Sequence, residues 1–192
     1  AALCEEAGAS LIFHPEKEDM YFDDFCTWVD MDGLTKGLCG KTRPTHFRGV
    51  CTVVSKLFHI VTPDRAYFGQ KDAQQLAVIR RMVRDLDMDI QIIGCPIIRE
   101  PDGSRNTYLN EEERKAALVL SRAVFHGQDM MEKGERDAGT ILSSMKKLIE
   151  AEPLAKIDYV EMVDADTIAP LAKAQGRVLT AMAVYIGSTR LI

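Results

Sequence analysis

Three short stretches of this 192-residue chain gather residue types that handle anions. The first, Arg43-Pro44-Thr45-His46-Phe47-Arg48-Gly49-Val50, sets two guanidiniums and an imidazole at a loop-to-helix junction. Oriented backbone N–H groups and arginines together suit a carboxylate or a phosphate. Thr45 acting only as a helix cap, with Arg43 and Arg48 solvated, accounts for the same residues. The second stretch is Phe68-Gly69-Gln70-Lys71-Asp72-Ala73-Gln74-Gln75, at the carboxyl end of a strand entering a helix. Open α/β sheets bind their ligands at such strand ends. Gly69 would let a ligand approach the backbone, and Lys71 would neutralise a phosphate. A local reading competes, in which Asp72 as N-cap and Gln75 three residues on form a capping box. The third, Ser104-Arg105-Asn106-Thr107-Tyr108-Leu109, puts a hydroxyl beside an arginine in a polar loop. That suits a phosphate clamp, and a solvated linker equally well.

Metal and thiol chemistry find less support. The five cysteines (Cys4, Cys26, Cys39, Cys51 and Cys95) are odd in number and contain no C-x-x-C pair. Scattered thiols of this kind read as reduced, cytosolic and buried. The four histidines are equally dispersed, which argues against zinc. A net charge of −5 argues against nucleic acid. No apolar run approaches the ~18 residues that a bilayer span requires. Ala1-Ala2-Leu3-Cys4-Glu5-Glu6 has no basic n-region, so no export signal is expected, and without an initiator Met residue 1 is not expected to be the natural start.

The elements that must position these stretches follow from hydrophobic period. Ala1–Gly8 reads as the end of a helix capped by Gly8, Ala9–His14 as a short buried strand, and Cys26–Met31 as a half-exposed strand. Apolar residues from Phe47 to Val61 form a broad helical stripe, and a second helix is expected from Asp72 to about Leu86. Arg65–Phe68 and Ile90–Ile93 are expected strands. Strands alternating with helices predict a parallel α/β sheet. After Pro96 the pattern changes to helices near Asn110–Glu132 and Ala138–Ala151, then strands at Ile157–Val163 and Val178–Ile186. This predicts a smaller α+β unit, with a boundary near residue 97. Asn110 and Glu113 read as a capping box without further function.

In order and at their spacing, RPTHFRGV, FGQKDAQQ and SRNTYL resemble the pantothenate synthetase family, as do VVSKLFHIVTPDRAYFG and IIGCPIIRE. The resemblance runs over essentially the whole chain. It implies a Rossmann-like nucleotidyltransferase domain (residues 1–97, partial) followed by a small α+β lid domain (residues 98–192). It also implies an ATP-dependent ligase acting in two steps, against the alternatives of another adenylate-forming nucleotidyltransferase or a catalytically incomplete fragment that serves only as a nucleotide-binding or dimerisation module. A pantoate carboxylate attacks the α-phosphate of ATP, then the β-alanine amine displaces AMP, so catalysis rests on positioning and charge stabilisation. By resemblance Lys71, Ser104 and Arg105 meet the ATP phosphates, Gly69 and Asp72 the ribose, and Ile98 the adenine. Gln75 binds pantoate, with Val53 and Val54 against its dimethyl group, and Arg43 and His46 line the second-substrate side. Mg2+, a homodimer and a cytoplasmic location are implied in the same way.

The chain departs from the family pattern in three places. The family's N-terminal strand, its glycine- and histidine-rich nucleotide motif and its acidic magnesium-holding pair have no counterpart here. Several residues expected between Gly103 and Ser104, including a second serine, are absent. Gln70 replaces the glutamate that is commoner at that position.

Overall fold

The computed structural model describes residues 1–100 and 109–192. Three short helices come first: α1 (Ala2–Glu6), α2 (Lys17–Met20) and α3 (Cys39–Thr42). The long helix α4 (His46–Val61) leads into β1 (Arg65–Gly69), and a 3-10 turn over Gln70–Asp72 opens α5 (Ala73–Asp85) and then β2 (Gln91–Cys95). The later half holds α6 (Glu111–Glu132), α7 (Ala138–Glu150), β3 (Ala155–Asp164), β4 (Val178–Ile186) and β5 (Thr189–Leu191). β1 and β2 pair in parallel, from Arg65 opposite Gln91 to Gly69 opposite Cys95. β3, β4 and β5 form an antiparallel sheet in that order. A parallel pair joined through a helix, beside a separate three-stranded antiparallel sheet, is the α/β arrangement that the hydrophobic pattern predicts.

Two apolar cores form around these sheets. In the first, Phe47, Cys51, Val54 and Phe58 of α4 meet Val78, Ile79, Met82 and Val83 of α5. In the second, Ile141, Met145 and Ile149 of α7 pack on Ala116 and Ala123 of α6 and on the antiparallel sheet. Gly127 lets α6 and α7 close up, since a Cβ there would lie 2.6 Å from the Met145 sulfur.

The β3–β4 pair belongs to both cores. Tyr159, Val163, Leu179 and Ala181 face the first, whereas Val160, Met162, Met182 and Val184 face the second. Alternating side chains point to opposite faces of a strand, so one hairpin can serve two hydrophobic layers.

Four local expectations need correction. Ala9–His14 is not a buried strand but irregular chain, with Leu11, Ile12 and Phe13 exposed. An apolar run becomes a strand only where a sheet edge receives it, and no such edge meets it among the described residues. Cys26–Met31 is likewise irregular. The Val29 N–H donates to Thr52 Oγ1 at 3.0 Å, while Phe25 packs edge-on against Tyr21 and Trp28. Asp72 makes no capping bond. Its backbone (φ −89°, ψ 58°) is that of a turn, and its carboxylate accepts from Lys71 instead. Thr45, at the start of α4, has near-helical torsions and also makes no side-chain cap. The Asn110–Glu113 box does form, with both reciprocal bonds present.

A shared hairpin implies shared unfolding. Phe58→Ala in the first core and Ile141→Ala in the second should each cost about 2–5 kcal/mol. Both should lower a single urea transition, followed by fluorescence of Trp28 and by far-ultraviolet circular dichroism. Transitions that separate in either variant would contradict the common core.

Candidate active site

A cavity of about 630 Å³ opens where the carboxyl end of β1, the Leu38–Phe47 segment, α6 and the antiparallel sheet converge. It brings together Arg43, His46, Lys71, Asp72 and Gln75 from two of the three sequence stretches. Of the third, Leu109 also lines the cavity, while the rest, Ser104 and Arg105 among them, lies outside the described residues. Arg99 and Ile97, from the segment that follows β2, also reach the cavity wall.

The chemistry of the near wall follows from local structure. β1 ends at Gly69 and the chain turns at once through Gln70–Asp72 into α5, which presents Lys71, Asp72 and Gln75 beside one another. The Lys71 ammonium donates to Asp72 Oδ1 at 3.1 Å, with 30% of the lysine side chain exposed. A partly solvated ion pair contributes little, so a phosphate group can displace the carboxylate at small cost. Gly69 has φ −68° and ψ 133°, torsions open to any residue, and a Cβ there would touch nothing. Its lack of a side chain therefore serves no need of the chain's own packing.

The same cavity is lined by Arg43 and His46. Burial holds the imidazole below its ordinary value of 6.5, the nearby Arg43 guanidinium lowers it further, and Asp72 pulls weakly the other way. At neutral pH it is therefore uncharged and free to accept or donate one hydrogen bond. Arg48 belongs elsewhere, lying over the Trp28 ring at 5.0 Å from its centroid.

Sequence reasoning missed the far wall. Tyr159 and Arg190 come from β3 and β5. Arg190 grips Asp158 Oδ2 with Nη2 at 2.7 Å and Nε at 3.0 Å, and Nη2 also approaches Thr42 Oγ1 at 3.4 Å. Burial, with Cys39 adding to it, pushes the Tyr159 hydroxyl up to about 12, so it is a neutral donor. Nothing in a lone arginine two residues from the carboxyl end signals this position. With Arg190 balanced by Asp158 and Lys71 by Asp72, Arg43 adds a further cation to the described wall. The cavity thus favours an anion.

Other predicted site residues stand apart from the wall. Val54 is buried in the first core and Val53 packs against that core from α4. Ile98 is 85% exposed. Among the described residues no group of three His, Cys, Asp or Glu is placed to hold a metal ion, and Asp72 alone does not make a magnesium cage. Among them, too, no helix is long and apolar enough to cross a membrane.

A family model described as Pantoate-beta-alanine ligase matches residues 1–192. A pantothenate synthetase of Ruminiclostridium cellulolyticum is 61% identical over 193 residues, covering 98% of this chain and 69% of that protein. One from Clostridium acetobutylicum is 55% identical over 196 residues, covering 100% of this chain and 70% of that protein. The crystal structure of pantothenate synthetase from Thermus thermophilus is similar at a TM-score of 0.93 and 42% identity, over 99% of this chain and 70% of that one. A pantoate-beta-alanine ligase from Francisella tularensis, complexed with beta-gamma ATP and beta-alanine, matches at a TM-score of 0.76 and 28% identity, over 99% of this chain and 66% of that one.

The His46 environment makes a signed prediction. Its NMR titration midpoint should lie below 6.5, and Arg43→Met should raise it only part of the way, because burial is the larger cause. Stability linked to the neutral imidazole is complete above 6.5 and declines as pH falls from there through the folded midpoint. A folded midpoint at or above 6.5 would contradict this.

Proposed function

The chain belongs to the pantoate-beta-alanine ligase family, and on that premise we propose that its cavity joins pantoate to β-alanine at the expense of ATP. The observation that carries the proposal is the grouping of Lys71, Asp72 and Gln75 on one cavity wall at the carboxyl end of β1. Lys71 and Arg43 in one cavity suit a triphosphate and a carboxylate brought together.

In the first step a pantoate carboxylate oxygen bonds to the α-phosphorus and pyrophosphate leaves. In the second the β-alanine amine attacks the acyl carbon, an amide forms, and AMP departs. Neither step needs a nucleophilic side chain. Lys71 exchanges Asp72 for phosphate oxygens and offsets the charge that develops at the α-phosphate. Asp72, once released, accepts from the ribose hydroxyls next to Gly69. Gln75 donates to pantoate from its half-buried place on the wall. Of the two valines, Val53 is the one with surface left for the dimethyl group, while Val54 acts through packing. Arg43 pairs with the β-alanine carboxylate beside the neutral His46. The Ile98 backbone meets the adenine, and Ser104 with Arg105 clamps the phosphates. Magnesium arrives as the counter-ion of ATP, carried by its phosphates, and no step here is assigned to it.

We place this activity in two units, residues 1–97 for nucleotide and pantoate and residues 98–192 as the lid. We further propose a cytoplasmic homodimer. Five free thiols support a reducing compartment. Exposed apolar residues such as Phe22, Ile60 and Val61 offer surface for a partner copy.

Two measurements test the assignment, using the natural protein that carries this chain. AMP release from ATP should require both pantoate and β-alanine, and Lys71→Ala should lower kcat/KM by at least ~10²-fold, about 2.7 kcal/mol. Nucleotide binding without AMP release would leave only a binding module. Gly69→Ala should leave stability within about 0.5 kcal/mol, because its torsions and space admit a methyl group, yet weaken ATP binding. Unchanged ATP affinity in that variant would remove Gly69 from the nucleotide site.

A further inference from the structure

We infer that Gln74, to which neither the motif reading nor the resemblance gives a role, is a positioning residue for this site. Its carboxamide fixes the segment that delivers Arg43 and His46 against the helix that delivers Gln75. The inference rests on the ligase reading only for the kinetic effect, since the geometry stands without it.

Gln74 is 7% exposed although it lies in the first turn of α5. Its side-chain bonds leave its own helix. Oε1 accepts from the Cys39 N–H at 3.0 Å, and Nε2 donates to the carbonyls of Leu34 and Gly37, both at 2.9 Å. Both donor hydrogens and one acceptor position are thus spent on a single segment 35–40 residues upstream. A buried polar side chain needs its partners, and so do the three backbone groups that it satisfies.

The segment it holds is under constraint. Leu38 is 1% exposed and has φ 49°, in the left-handed region that a residue with a branched side chain rarely enters. Gly40 follows so closely on Thr35 that a Cβ would lie 1.7 Å from the Thr35 carbonyl oxygen. Backbone of this kind persists where surrounding contacts over-determine it, and the three Gln74 bonds are such contacts. Beyond it the chain runs through α3 directly to Arg43 and His46, with Leu38 and Cys39 themselves on the cavity wall. Both glutamines border the cavity, but only Gln74 spends its carboxamide on the neighbouring segment 34–39 and so fixes where that part of the wall stands.

The test uses Cys39 as a reporter, because its thiol is buried in the held segment, and Cys26 as an exposed reference in the same molecule. Gln74→Met keeps the bulk and loses all three bonds. Alkylation of Cys39 relative to Cys26, read by peptide mass, should rise by roughly 10-fold or more, with Cys51 in the α4 core still protected. Gln74→Glu adds a readout that simple loss of packing would not move. As a carboxylate it meets two carbonyl oxygens without a donor, whereas protonated it regains one donor and one acceptor. Its Cys39 labelling, again relative to Cys26, should therefore fall as pH drops from about 8 to about 5, and that of the methionine variant should not. In turnover, Gln74→Met should raise the KM for β-alanine by ~10-fold or more while kcat changes by less than ~3-fold. Unchanged Cys39 labelling in Gln74→Met would overturn the inference, and so would Cys39 and Cys51 becoming reactive together. A wild-type protein that makes no pantothenate but shows the labelling pattern would sink the ligase reading and leave the positioning role intact.

Discussion

Everything else in this molecule depends on one hairpin with two apolar faces. Because side chains alternate along β3 and β4, Tyr159, Val163, Leu179 and Ala181 complete the core built by α4 and α5. Their neighbours Val160, Met162, Met182 and Val184 complete the core built by α6 and α7. A register slip of one residue would exchange the two faces. The nine paired positions between β3 and β4, interrupted only near Ile157–Tyr159, hold that register. The cavity opens where residues of this sheet and of the turn that follows β1 share one lining. Tyr159, on the face turned to the first core, consequently lines the same cavity as Lys71.

The chemistry of the wall is that of charges held in reserve. Lys71 and Arg190 each carry a carboxylate partner, Asp72 and Asp158, but the two pairs differ in kind. The first is a single contact within one turn, whereas the second is a two-nitrogen grip on one oxygen between strands, less exposed to solvent. A ligand phosphate can therefore compete for the lysine far more readily than for the arginine. Arg190 also approaches Thr42, which ties the last strand to the helix just ahead of Arg43. His46 stays neutral because burial and Arg43 both oppose a second positive charge there. The site thus keeps its positive charge without crowding like charges together.

Much of the fold was legible in the sequence where local period and tertiary demand agree. Helices α4, α5, α6 and α7 follow from apolar stripes, and the strands β1 to β4 from short runs of Val, Ile, Tyr and Phe. The Asn110–Glu113 box was readable because both of its bonds are local. Ala9–His14 and Cys26–Met31 were misread because a strand is completed by a neighbour that a local pattern does not contain. Asp72 looked like a cap for the same reason, with the turn into α5 and Lys71 competing for its carboxylate.

By itself the sequence determined the class of chemistry: three ordered motifs placed cations, an imidazole and amides near strand ends and helix starts, where backbone dipoles favour anions. Only the tertiary structure decided which of those residues meet. It tied the Gln74 carboxamide to the backbone of residues 34–39, sent Arg48 to an aromatic ring, and recruited Arg190 from the other end of the chain. The physical reason is range. Helix period, turns and caps are settled within a few residues, whereas cavity walls are made by contacts between segments distant in sequence, whose packing no local pattern records.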